Sequence, residues 1–329
     1  MSSDSAITEP ATAAPVTDGA DRRRLKVNDL MERWHGVSLR AGTLLRDPVA
    51  AQFLAAAQRI DDDIAALVSD EADGSLLMLI HSAGAEVQRY SVAHALLVTV
   101  VCDLAARFLP ACTDEQRCSL RRAALTMNIG MTRLQDQLAL QDSPVTADQR
   151  TRIEGHAARG NEQLREMGVA DELWLEAVLR HHDAPPGALS EQPVALQLAR
   201  LIRRADMFAA RMSPRKVRAA LAATVAAKGA YFDERKQPDE AGSLVIKALG
   251  IYPAGSYVQL ASGELGVVLR PGPAIGKPLV AGIADRDGSP YVQPVRRSTN
   301  TRATAIVRGV PPKDVRVRVP IERLLKLAR

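Results

Sequence analysis

From Val27 to about Leu249 apolar residues recur at three- and four-residue spacing, with no run of strand-like alternation. This unbroken helical period constrains the fold more than any other feature. Each such helix carries an apolar stripe that only another helix can cover over so long a stretch, so the segment must fold as a bundle. After Ile251 the texture changes to short β-branched runs separated by Gly, Pro and Asp-Gly signals: Ser256–Leu260, Leu265–Leu269, Leu279–Ala284, Tyr291–Val295, Ala303–Val307 and Val315–Val319. The expected fold is mainly α, an all-helical bundle over 25–250 followed by a small β-rich domain over 251–329. The amphipathic stretch Ile321–Ala328 closes the chain as a short helix. Residues 1–24, rich in Ala, Thr, Pro, Asp and Ser without periodicity, read as a disordered tail.

Several helix ends are legible. Thr113-Asp-Glu-Gln116 and Thr146-Ala-Asp-Gln149 have the form of capping boxes, each opening an amphipathic stretch. Ser213-Pro214 offers an N-cap and an N1 proline to an Ala-rich helix ending near Gly229, and Gly250 closes a helix that starts around Asp239. The stretch Ala219–Ala227 reads as helix packing or an oligomer face.

Of the 329 residues 47% are hydrophobic, enough for one sizeable core and a second, smaller one. The 43 basic and 38 acidic side chains permit an anionic partner without demanding one. Cys102, Cys112 and Cys118 form neither a CxxC pair nor an even-numbered framework, which fits a reducing, cytoplasmic setting. The N-terminus places its acidic and small residues before its Arg cluster, the reverse of a secretory signal. The longest apolar runs fall short of the roughly 18 to 20 residues a spanning helix needs, so no membrane partner is expected. Arg296, Arg297, Arg302, Arg308, Arg316, Arg318 and Arg323 make the C-terminal part basic, yet it has no Phe or Trp for base stacking, and nucleic acid is disfavoured. No Gly-rich phosphate loop, GxSxG elbow or zinc-ribbon pattern is present.

Of the six histidines, all in the helical part, four stand in a telling order: His94 within one helix, His156 in the helix opened by the second capping box, and His181-His182 ending the next, with Asp206 on the one after. Arg200, Arg203 and Arg204 near Asp206 read as partners of carboxylates. Across roughly residues 80 to 270 the chain resembles the HD-GYP family, a branch of the HD superfamily of metal-dependent phosphohydrolases whose members hydrolyse cyclic di-GMP. The resemblance rests on Tyr90-Ser-Val-Ala-His94, Glu154-Gly-His156, His181-His182-Asp183, Ala205-Asp206 followed by Arg211-Met-Ser-Pro-Arg215, and Leu249-Gly-Ile-Tyr-Pro-Ala-Gly-Ser256 with Gly263-Glu-Leu-Gly-Val-Val268. It implies a metal-ligand role for His94, His156, His181, His182 and Asp206.

The departures are as informative. The family's His-Asp pair and following lysine fall on Met127-Asn128-Ile129-Gly130-Met131. A carboxylate can bridge two metal ions; the amide of Asn128 offers one uncharged oxygen. The Met127 thioether does not suit an oxygen and nitrogen shell, and Met131 brings no cation to a phosphate. The Gly-Tyr-Pro element is replaced by Asp183-Ala-Pro-Pro-Gly187. The catalytic set is therefore expected to be broken at Met127, Asn128 and Met131. His156, His181 and His182 either hold a single divalent transition metal (iron, manganese or zinc) or fill the former cavity as hydrogen-bonded rings with no cofactor, and the sequence leaves both open. The expected function is a degenerate HD-GYP-like signalling or interaction protein without cyclic di-GMP phosphodiesterase activity. The alternatives are a single-metal phosphohydrolase acting on another ester and a non-hydrolysing cyclic di-GMP receptor. Expected partners are cyclic di-GMP, another signalling protein or a second copy of the chain.

Overall fold

The computed structural model describes residues 25–83, 88–183, 187–233, 235–274 and 276–329. The 1–24 tail and the centre of the proline-containing turn, residues 184–186, lie outside them. The helical part comprises α1 (Val27–Arg46), α2 (Ala50–Asp70), α3 (Ala72–Ala83), α4 (Tyr90–Ala106), α5 (Asp114–Thr126), α6 (Thr132–Leu140), α7 (Ala147–Glu154), α8 (His156–Glu166), α9 (Glu172–Arg180), α10 (Val194–Met212), α11 (Ala223–Tyr231) and α12 (Glu240–Leu249). It is followed by β1 (Tyr257–Leu260), β2 (Leu265–Arg270), β3 (Leu279–Ala284), β4 (Pro290–Ser298), β5 (Ile306–Val310) and α13 (Ile321–Ala328). The strands form an antiparallel sheet in the order β4-β3-β2-β1-β5. The mainly α fold with a small C-terminal β unit agrees with the sequence pattern.

The sequence of α4, Tyr-Ser-Val-Ala-His-Ala-Leu-Leu-Val-Thr-Val-Val-Cys-Asp-Leu-Ala-Ala, is apolar on every face, and all of it except Ala93 is buried. A helix without a polar face has to be surrounded. It packs against α3, α5, α10 and α12 and so forms the axis of the bundle. Around it, α2, α4 and α5 are joined by a buried ionic cluster: Arg121 donates to Asp61 at 2.6 and 3.0 Å and to Asp103 at 3.0 Å, and Arg117 donates to Asp103 at 2.9 Å. Both capping boxes form as expected: the Thr113 hydroxyl accepts from the Gln116 N–H and the Gln116 side chain from the Thr113 N–H, with the same exchange between Thr146 and Gln149. Asp239 caps α12, and Gly250 ends it with φ +71°.

One apolar core runs from α1 through α12 into β2, β3 and α13. The β unit is seated by Gly255, whose φ is +91° and where a Cβ would come within 2.9 Å of the Leu77 carbonyl and 3.0 Å of Ile80 on α3. Only glycine permits that approach.

Four local expectations are corrected. Ser213 ends α10 instead of starting a helix, its N–H bonding to the Ala209 carbonyl at 3.0 Å. The burial of Phe208, Ala209 and Met212 carries α10 that far, and the following proline pushes Ser213 to extended backbone. The next helix therefore starts later, at Ala223, so Ala219–Ala227 is helical only in its second half, where Ala223, Ala226 and Ala227 pack inward. His156 does not lie in the helix opened by Thr146: that helix stops at Gly155, and His156 is the first residue of α8. The strand expected over 303–307 forms at Ile306–Val310, and Val315–Val319 pairs with nothing in the sheet. Its valines pack against the main core while Arg316 and Arg318 are exposed, so side-chain alternation is satisfied without a ladder.

Candidate metal centre

Three imidazoles meet where α8 begins and α9 ends. His156 opens α8 directly after the break at Gly155, and His181 is the C-cap of α9, with His182 following it. His156 and His181 are buried and His182 is exposed. One ring nitrogen of each lies within 4.8 Å of the others. The Nε2 atoms of His156 and His181 are 3.2 Å apart, and those of His182 and His156 are 3.3 Å apart. Ligands on a tetrahedral ion with arms of roughly 2.0 to 2.1 Å sit about 3.3 Å from one another.

The tautomers follow from the backbone. His156 Nδ1 lies 2.5 Å from the Ile153 carbonyl, and His181 Nδ1 lies 2.7 Å from that of Val178. A carbonyl only accepts, so in each neutral ring the proton sits on Nδ1 and Nε2 presents a bare lone pair. Two such lone pairs at 3.2 Å cannot bond to each other. Burial, followed by the charges of His182 and His156, pushes His181 down to about 3. Burial likewise lowers His156 and His182. The three rings are thus held neutral, the state in which imidazole binds a metal.

His94 and Asp206 form the second half of the site. His94 is buried on α4, and its Nε2 lies 2.8 Å from Asp206 Oδ1 on α10. Burial alone would raise the Asp206 carboxyl. The His94 hydrogen bond and the charges of His94, His181 and His182 outweigh it and hold the group at about 2. The carboxylate stays ionised beside the imidazoles and adds negative potential to their concavity.

The segment 127–131, where the resemblance expects a metal-binding pair, packs its backbone close to the histidine cluster. Gly130 lies in a short 3-10 turn, Ile129–Met131, pressed on the start of α8: a Cβ there would come within 2.5 Å of the His156 carbonyl and 2.7 Å of the Gly160 nitrogen. Met127, two residues before that turn, is 1% exposed and belongs to the main apolar core. Asn128 and Met131 are half-buried. The structure thus gathers His156, His181 and His182, pairs His94 with Asp206, and gives Met127 an apolar role.

Two neighbours had been given no role from the sequence. Tyr90, one turn before His94, stacks on its ring at 5.6 Å with an interplanar angle of 9°. Arg215 covers the other partner, its guanidinium 5.1 Å from the Tyr90 ring centre. The i, i+4 spacing of Tyr90 and His94 was a usable signal; nothing in the sequence links Arg215 to them. Arg200 and Arg204 pair with Asp239 at 2.9 and 3.3 Å, as carboxylate partners should, while Arg203 donates to the His182 carbonyl.

A cyclic di-GMP phosphodiesterase of Pseudomonas aeruginosa is 28% identical to the chain over 154 residues, 45% of this chain and 37% of that protein. The chain therefore corresponds to well under half the length of that relative. No protein-family profile matches the chain, and no solved structure matches it. No described helix is long and apolar enough to cross a membrane.

Proposed function

We propose that the chain is an HD-GYP-like signalling protein that holds one divalent transition metal on His156, His181 and His182 and has lost the two-metal hydrolysis of cyclic di-GMP. The observation that carries this reading is the pair of bare Nε2 lone pairs at 3.2 Å, each fixed by an Nδ1–carbonyl bond. A cation relieves that opposition, whereas a proton is disfavoured by the burial of His181. Zinc or iron suits three imidazoles. When bound, the metal supplies Lewis acidity to a coordinated oxygen. The chain's own part is to hold the ligands neutral, to keep Asp206 ionised beside them and to fix the two buried rings through their carbonyl partners.

The loss of hydrolysis rests on Met127 and Asn128. Their positions offer an apolar thioether and a neutral amide where a bridging carboxylate and a further imidazole are expected, so a second ion finds only His94 and Asp206, already engaged with each other. In this reading residues 25–250 are the signalling domain and 251–329 a smaller β domain attached to it. The similarity to a cyclic di-GMP phosphodiesterase favours the dinucleotide as the ligand sensed.

Metal analysis of protein purified without chelators, combined with nucleotide assays on the same sample, tests this. The expected result is about one zinc or iron per chain, lost in His181→Ala, with no linear or mononucleotide product from cyclic di-GMP. Fewer than about 0.1 ion per chain would overturn the metal reading. Hydrolysis abolished by His182→Ala would overturn the loss of activity. Hydrolysis of another phosphate ester in place of dinucleotide binding would replace signalling with a single-metal phosphohydrolase.

A further inference from the structure

A cavity of about 450 Å³ lies between the end of α3, the start of β1 and the unpaired segment Val315–Val319, away from the histidine cluster. Its wall is mostly aliphatic, with Leu221, Val317 and Ile321 among its residues, and three polar groups converge on it: His81, Tyr257 and Arg318. Each has unused bonding capacity. His81 Nδ1 is buried and meets no hydrogen-bond partner among the described residues. The Tyr257 hydroxyl makes no hydrogen bond, and Arg318 has no carboxylate partner, among the described residues. The groups are also near one another. The His81 and Tyr257 rings are 6.2 Å apart, and Arg318 is close enough for its charge to oppose the upward push that burial exerts on the Tyr257 phenol.

An aliphatic cavity with a few convergent polar groups is the usual form of a small-molecule site, and its volume falls within the roughly 300 to 1,000 Å³ of such sites. The polar groups select the ligand's head. A guanidinium and a phenol donate, while burial lowers the His81 pKa, so its imidazole stays neutral and adds no second charge. One cation matches one negative charge, which suits a planar carboxylate better than a phosphate dianion. The aliphatic wall selects the body: apart from Tyr257 and His81 it offers no ring on which a base could stack.

We infer that this cavity binds a carboxylate-headed aliphatic amphiphile, its head held by Arg318 and Tyr257 beside the neutral His81 ring and its chain lying against the valines of the unpaired segment. The segment's alternation then has a purpose that the sheet does not supply: Val315, Val317 and Val319 line the chain's path while Arg318 stands at the head. The cavity also touches Met212, the last residue of the helix that carries Asp206, so a ligand there contacts both the β unit and α10.

Calorimetric titration of the full-length chain with sodium decanoate, below its micelle-forming concentration, tests the inference. Saturable one-to-one binding is expected. Arg318→Ala should weaken it about 10-fold or more and Tyr257→Phe about 3-fold, as expected for loss of a charged and a neutral hydrogen bond to the head. Val317→Trp, which fills the cavity, should abolish binding. Decan-1-ol and decylammonium should bind at least about 10-fold more weakly than decanoate, and Arg296→Ala should bind as the parent does. Decyl phosphate binding more tightly than decanoate would overturn the choice of carboxylate. No saturable heat up to about 1 mM decanoate, or equal affinity in Arg318→Ala, would overturn the site. Arg318 is exposed and without an ion-pair partner among the described residues, so its variant should fold normally, which circular dichroism checks; it keeps the test decisive if Val317→Trp fails to fold.

Discussion

At the scale of single residues, the proposed metal site depends on atoms that are not themselves ligands. Gly130 shows this best: its missing side chain lets the 129–131 turn sit on the backbone of His156 and Gly160. Gly130→Ala should displace the start of α8, costing about 1–3 kcal/mol by overpacking and weakening metal binding about 10-fold through the moved ligand. A urea titration and a metal competition assay would measure the two effects. Stability loss without any change in metal affinity would mean that His156 adjusts independently of its helix. His94, His156, His181, His182 and Asp206 were singled out by their order and by the resemblance, and the structure brings His156, His181 and His182 together. The pairing of His94 with Asp206 was not legible, because it joins residues 112 positions apart through the packing of α4 on α10.

At the scale of elements, local chemistry predicted what local chemistry controls. Both capping boxes formed because each closes within four residues, and Thr113→Ala should cost about 1 kcal/mol, read as a shift in the denaturation midpoint. The failures lie where a distant surface decided. Ser213-Pro214 carries good helix-start chemistry, but a proline just past a helix end is equally acceptable, and burial of Met212 chose the second use. The break at Gly155 separates α7, where only Gln149 is buried, from α8, whose His156, Ala157, Gly160, Asn161 and Leu164 face inward. The ionic cluster joining α2, α4 and α5 was likewise invisible, since Asp61, Asp103 and Arg121 are unremarkable in sequence. Arg121→Ala leaves two buried carboxylates short of their cation and should destabilise the chain by about 3–5 kcal/mol, measurable by chemical denaturation. A loss below about 1 kcal/mol would mean that water reaches the cluster.

At the scale of the whole molecule, a single apolar core links the helices to β2, β3 and α13. Thermal unfolding should therefore give one transition by both tryptophan fluorescence and far-ultraviolet circular dichroism; two separated transitions would show that the β unit folds independently. The sheet carries its own pH signature. Glu264, 8% exposed, is held at about 2 chiefly by the Arg297 guanidinium, against burial and with help from the Tyr291 and Ser262 hydroxyls. Because the folded value lies below the unfolded one near 4.5, this stabilisation is complete above that value and is lost as pH falls from about 4.5 towards 2. It amounts to about 3 kcal/mol. Glu264→Gln should lower stability at pH 7 and flatten its dependence on pH across that window; an unchanged acid slope would move the effect to other carboxylates.

The sequence by itself determined the class of fold, the change from helix to strand after Gly250, several helix ends and the inventory of histidines, because periodicity, caps and residue order are properties of a chain read along its length. It also places Met127 and Asn128 where the HD-GYP resemblance expects a His-Asp pair, which is a matter of identity. The tertiary structure decided that Met127 is a core residue, that His94 is bound to Asp206, that the Nε2 lone pairs of His156 and His181 face each other, and that Val315–Val319 lines a cavity instead of joining the sheet. Those outcomes depend on which surfaces meet, and burial against a distant partner overrides what the neighbouring residues prefer.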